Sequence, residues 1–172
     1  MRRLRPVTTL YCCFGVLVMA GGVAAGDNDA TVKKVLDVCA SSDVPMAVDR
    51  ASRLGWRRQT DGEISQWRTA FVGYNGGSVD VVAWRSEQRG RGDTLSFWAA
   101  AGPSAHKACV YSTSSPDGLS EKLSRMLGPP NTSEKNDAAQ SQSASWKRGD
   151  LVYSFVQVGS SASVHVGQPP LD

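Results

Sequence analysis

The side chains in this sequence best suited to chemistry are few. Past residue 25 there are two histidines, His106 and His165, and two cysteines, Cys39 and Cys109. Either histidine is a candidate general base, because imidazole exchanges its proton near neutral pH. Each stands alone in the sequence. No Gly-x-Ser-x-Gly elbow supplies a nucleophile, and neither common phosphate-cradling glycine loop occurs. No Cys-x-x-Cys or His-x-x-x-His spacing marks a metal site, so neither metal nor cofactor is expected. The acidic residues are scattered, with no pair spaced to single out a glycosidase dyad. His106, near a turn, and His165, alternating outwards on a late strand, are therefore expected as surface histidines. They remain the two polar positions at which a site could form.

The aromatic residues say more. Five tryptophans stand at 56, 67, 84, 98 and 146. Trp84 and Trp98 fall on predicted strands one hairpin apart and are expected to form a candidate ligand face. Rings on a sheet can line a groove for a sugar, lipid or peptide, and they can equally complete a core. Arg-Gly-Asp occurs twice, at 91–93 and 148–150. In an exported protein this invites an adhesion reading. Glycine and aspartate also favour turns, and both copies precede a predicted strand, so the turn reading is preferred.

Export is read from the first 25 residues. Arg2, Arg3 and Arg5 precede a mostly apolar run over 7–23, followed by Val23-Ala24-Ala25. This is the three-part pattern of a cleaved secretory signal. The apolar run is short for a membrane span, which needs about 20 residues, so no stable membrane insertion is expected after cleavage. The rest, 26–172, fits one domain. The formal net charge of +3 lies wholly in the three signal arginines. A neutral mature chain has no general electrostatic reason to bind nucleic acid or acidic lipid. Cys12 and Cys13 leave with the signal. Cys39 and Cys109 remain as an even pair in an oxidising compartment, where a disulfide is expected. The loop it would close, about 70 residues, corresponds to about 4 kcal/mol of stabilisation.

Apolar spacing at Val32, Val35, Leu36 and Cys39 predicts a first helix with Cys39 on its buried side. A second is predicted over about 44–54, with Pro45 in its first turn and Gly55 as its stop. Ile64, Trp67 and Phe71 have helical spacing too. Strands are predicted at 79–85, 94–101 and 108–113. A helix follows, with Ser115 as cap, Pro116 at its start and Leu119, Leu123, Met126 and Leu127 as its apolar face. Residues 129–145 hold no aromatic, Leu, Ile or Val and are expected as a flexible polar loop. Leu151–Val158 and 162–166 return to strand. The sum is an α+β domain with one antiparallel sheet of about five to six strands and helices packed on one face.

Val35 and Cys39 on a helix, Ala51-Ser52-Arg53-Leu54-Gly55-Trp56, and Cys109-Val110-Tyr111 before a capped helix resemble a loose set of small exported proteins of Gram-negative bacteria. That resemblance implies a periplasmic α+β domain with one disulfide, and it implies no activity. The expectation is a periplasmic or secreted, non-enzymatic domain that binds a protein partner or small ligand through its sheet. The alternatives are an envelope hydrolase using His106 or His165, and a host-facing adhesin using the Arg-Gly-Asp loops.

Overall fold

A computed structural model describes residues 26–88, 92–103 and 105–168. The signal reading of 1–25 lies outside the described residues, as does Arg91 of the first Arg-Gly-Asp. Helices α1 (Gly26–Cys39) and α2 (Val44–Ala51) come first, then a short 3-10 turn, Ser52–Leu54. They are followed by β1 (Arg57–Arg58), α3 (Asp61–Asn75), β2 (Ser78–Arg85), β3 (Thr94–Ala101) and β4 (Lys107–Thr113). The chain continues through α4 (Leu119–Leu127), β5 (Thr132–Asn136), β6 (Ser141–Arg148), β7 (Leu151–Val158) and β8 (Ser161–Gly167). All strands join one antiparallel sheet in the order β1-β2-β3-β4-β8-β7-β6-β5. The α+β class is as expected. The sheet has eight strands rather than five to six.

Two sources supply the extra strands. The run at 129–145 is not a flexible loop: it holds the edge strand β5 and most of β6. Its backbone groups pair across the hairpin from Thr132↔Ser145 to Asn136↔Ser141. Paired amides satisfy a strand whether or not its side chains are apolar, and β5 is exposed at every residue. The other source is the two-residue β1, too short to show as periodicity.

The helices also depart from expectation, because they flank the sheet on both sides. The inner face carries α1, α2 and α4. Val32, Val35 and Val38 of α1, Ala47 of α2 and Leu119 and Leu123 of α4 pack with Val82, Trp84, Leu95, Phe97, Tyr111, Trp146, Phe155 and Val164. A disulfide joins Cys39 at the end of α1 to Cys109 on β4, with Cα atoms 5.3 Å apart. Among the described residues, the outer face carries α3 alone. It covers Val81, Ala83, Trp98 and Ala108 with Ile64 and the partly buried Phe71.

Local chemistry fixes where α3 starts and stops. Thr60 and Glu63 form a capping box. Arg57 grips the same Glu63 carboxylate through two nitrogens, at 2.9 and 2.8 Å. That contact is the main reason the Glu63 carboxyl is held at about 2, with the Thr60 backbone N–H adding to it. At the other end Gly77 has φ +72, and a Cβ there would stand 2.1 Å from the Ala101 carbonyl oxygen. Only glycine lets α3 turn into β2 so close to the β3 backbone. Helix α4 begins at Leu119, not Pro116. Pro116 to Gly118 forms a turn, with the Leu119 N–H bonded to the Pro116 carbonyl at 2.8 Å.

The strand order reads the same when its halves are exchanged. Strands β1–β4 and β5–β8 are two meanders whose last strands pair, as a two-fold axis normal to the sheet would produce. With the axis placed at Val110↔His165, Cys109 matches Val164; their neighbours Phe97 and Phe155 then match. Phe97 pairs with Val82 and Phe155 with Ala144, and two residues beyond these stand Trp84 and Trp146. The sequence carries the same correspondence. Trp84-Arg85, Arg91-Gly92-Asp93 and Ser96-Phe97 answer to Trp146-Lys147, Arg148-Gly149-Asp150 and Ser154-Phe155. Before them, Ser52-Arg53-Leu54-Gly55 answers to Ser124-Arg125-Met126-Leu127-Gly128. Helices α1 and α3 of the first half have no counterpart in the second, where α4 alone precedes the strands.

Candidate functional site

Pleating sends alternate residues of each strand to opposite faces. On β3 this puts Leu95 and Phe97 inwards and Trp98 outwards, under α3. Trp98 is the centre of an aromatic cluster on the outer face. Its ring centroid lies 5.4 Å from Trp67 and 6.5 Å from Phe71, both on α3. His106, just before β4, stands 6.3 Å away edge-on, and His165 on β8 stands 6.2 Å away on the flank not covered by α3. Phe71 also meets His106 at 5.8 Å. The two histidines, remote in sequence, are thus brought to the same tryptophan.

The two differ in what they do there. The Trp98 indole N–H donates to Nε2 of His106 at 3.1 Å. Nε2 must carry a lone pair to accept it, which assigns the ring proton of neutral His106 to Nδ1. The bond satisfies an indole that the helix otherwise seals from water. His165 as a whole residue remains open to solvent. Crowding of its ring still pushes its pKa down, and the neighbouring His106 adds to the shift. A histidine so placed stays neutral over more of the pH range than one in water. Among the described residues, no three His, Cys, Asp or Glu side chains gather as metal ligands.

Beyond His165 none of the described helices covers the outer face. Positions that are apolar beneath α3 become hydroxyls at the matching places of the second half. Val79, Val81, Ala83 and Ala108 answer to Ser141, Ser143, Ser145 and Ser163. Trp98 and Ala100 answer to Val156 and Val158, which are 46% and 60% exposed. A shallow depression of about 410 Å³ opens here, lined in part by Ser112, Val156, Val158 and Ser163. The surface is broad, hydroxyl-rich and sparingly apolar.

The other expected positions fall as follows. Trp84 and Trp98 do not share a face. Trp84 pairs with Leu95 and points into the inner core, while Trp98 pairs with Val81 and points outwards. Neither Arg-Gly-Asp is displayed whole. Asp93 of the first is 3% exposed. Arg148 of the second clasps the end of α4, donating to the carbonyls of Leu127, Pro129 and Lys147 and to the Asn131 side chain. Beside it the buried Trp146 indole donates to the Gly128 carbonyl at 2.9 Å. These groups close the carbonyls that a helix end leaves unpaired. Trp67 and Phe71, absent from the expected site, join it. Their helical i, i+4 spacing was legible, but the face they turn to was not.

Comparison with protein-family models, with curated proteins and with solved structures finds no match for this chain. No helix among the described residues is long and apolar enough to cross a membrane.

Proposed function

We propose that the chain is an exported, periplasmic or secreted, non-enzymatic domain that binds a protein partner through the bare half of its outer sheet face. The observation that carries this reading is the exposure of Val156 and Val158 beside His165, on a surface whose matching half is sealed by α3. Exposed apolar residues set among hydroxyls around a wide, shallow depression suit a protein partner better than a small molecule, which prefers a more enclosed site. The disulfide fits an oxidising compartment. His106 supports a structural role, because Nε2 is taken up by the Trp98 indole.

The test is photo-crosslinking in the native host, with a photoreactive residue placed at Val156, at Val158 or, as control, at Met46 on the helical side. A discrete adduct from the two valine positions and none from Met46 is expected. Adducts only at Met46, or none anywhere, overturn the reading.

A further inference from the structure

A second site lies away from that surface, where the end of α1 and the start of α2 meet the ends of β4 and β8. A cleft of about 290 Å³ opens there, with Ser41, Met46, Phe97, Lys107, Leu151 and Val166 in its walls. Its volume lies just below the usual range for ligand pockets, which limits it to a small ligand. Two of its groups lack the partners that folding usually supplies. Ser41 is only 7% exposed, yet its hydroxyl has no hydrogen-bond partner. Buried hydroxyls are nearly always paired, because an unpaired one costs about 1–3 kcal/mol. The backbone holds Ser41 in place: its N–H bonds to the Val38 carbonyl at 3.1 Å, two residues after the disulfide at Cys39. Lys107 is half-buried and forms no ion pair with the described residues. The nearby Asp43 accepts from the Met46 N–H at 2.8 Å and from the Ser42 hydroxyl at 2.7 Å; its charge is felt by Lys107, but the two do not come within ion-pair distance.

One cationic donor and one orphaned hydroxyl, set against apolar walls, select a particular chemistry. An ammonium would be repelled by Lys107, and a neutral alkane would leave Ser41 unpaired. A dianion would bring more charge than one lysine offsets in a partly closed space. We propose that this cleft binds a small organic monocarboxylate with a short apolar body. The carboxylate takes the Lys107 ammonium and the Ser41 hydroxyl, and the apolar body lies along Leu151, Val166 and the adaptable Met46. The site is independent of the outer-face reading and stands or falls without it.

Amide NMR titration of the oxidised protein tests it, with hexanoate as the probe and hexanol and hexylammonium at equal concentration as controls. Saturable shifts at Ser41, Ser42, Lys107 and Gly167 are expected with hexanoate, and weaker or no shifts with the controls. Lys107→Gln should bind hexanoate about tenfold more weakly, the loss of one charge-assisted bond. Ser41→Ala should also weaken it, and if that variant fails to fold, Lys107→Gln alone decides. No saturable shift with hexanoate, an equal response to hexanol, or unchanged affinity in Lys107→Gln overturns the proposal.

Discussion

The first four strands and the last four follow the same path across the sheet, but only the first four carry a helix on their outer face. Towards the inner helices the halves agree: Trp84 with Trp146, Phe97 with Phe155 and Cys109 with Val164 are all buried. Towards the outside they part. The first half has Val81, Ala83 and Trp98 under α3; the second has the half-buried Ser143 and Ser145 and the exposed Val156 at the matching places. The inner face is a shared foundation. The outer face is where the halves differ, one sealed beneath α3 and one with Val156 and Val158 exposed.

The largest expected effects lie in the shared foundation. Phe97→Ala and Phe155→Ala should each cost about 3–5 kcal/mol in urea unfolding, because each empties a fully buried site. A small cost in either one alone would break the equivalence of the inner faces. Loss of the disulfide in Cys39→Ala with Cys109→Ala should cost about 4 kcal/mol, and chemical denaturation without reductant measures it.

Smaller effects sharpen the contrast between the outer faces. Ala83→Ser buries a hydroxyl beneath α3 and should cost about 1–3 kcal/mol. Its counterpart Ser145→Ala, on the open half, gives up only a hydroxyl contact with Thr132 at 2.7 Å and should cost no more than about 1 kcal/mol. Equal costs would mean that the two outer faces are alike in burial.

The smallest effects are pH-dependent. Glu63 is lowered in the fold from 4.5 to about 2, so its contribution is complete above pH 4.5 and is lost as pH falls towards 2. The difference in melting temperature between the parent and Glu63→Gln should shrink across that window. His165 is lowered from 6.5, so the unfolded chain takes up its proton first. Stability of the parent should therefore fall relative to His165→Asn as pH drops below 6.5, and a flat difference would contradict the crowding of that ring.

Much of this was legible in the sequence, and the failures have physical causes. Helical spacing found α1 and α2, and the even pair of cysteines past residue 25 found the disulfide. The shared face expected for Trp84 and Trp98 failed because a one-residue change of register turns a side chain to the other side. The long link from Ser86 to Asp93 left that register open. The strand at 132–136 was missed because backbone pairing, not apolar burial, holds it. The repeated Arg-Gly-Asp, read as two separate turns, marks the same hairpin in each half. Short insertions in the first copy hide the repeat until strand pairing aligns it.

The central claim is that Val156 and Val158 serve contact rather than folding. The double variant Val156→Arg/Val158→Arg tests it most directly, with melting temperature and photo-crosslinking from position 154 read on the same protein. The account predicts an unchanged melting temperature and loss of the adduct that the parent gives at that position. An adduct that survives both arginines, or a protein that no longer folds, would contradict it.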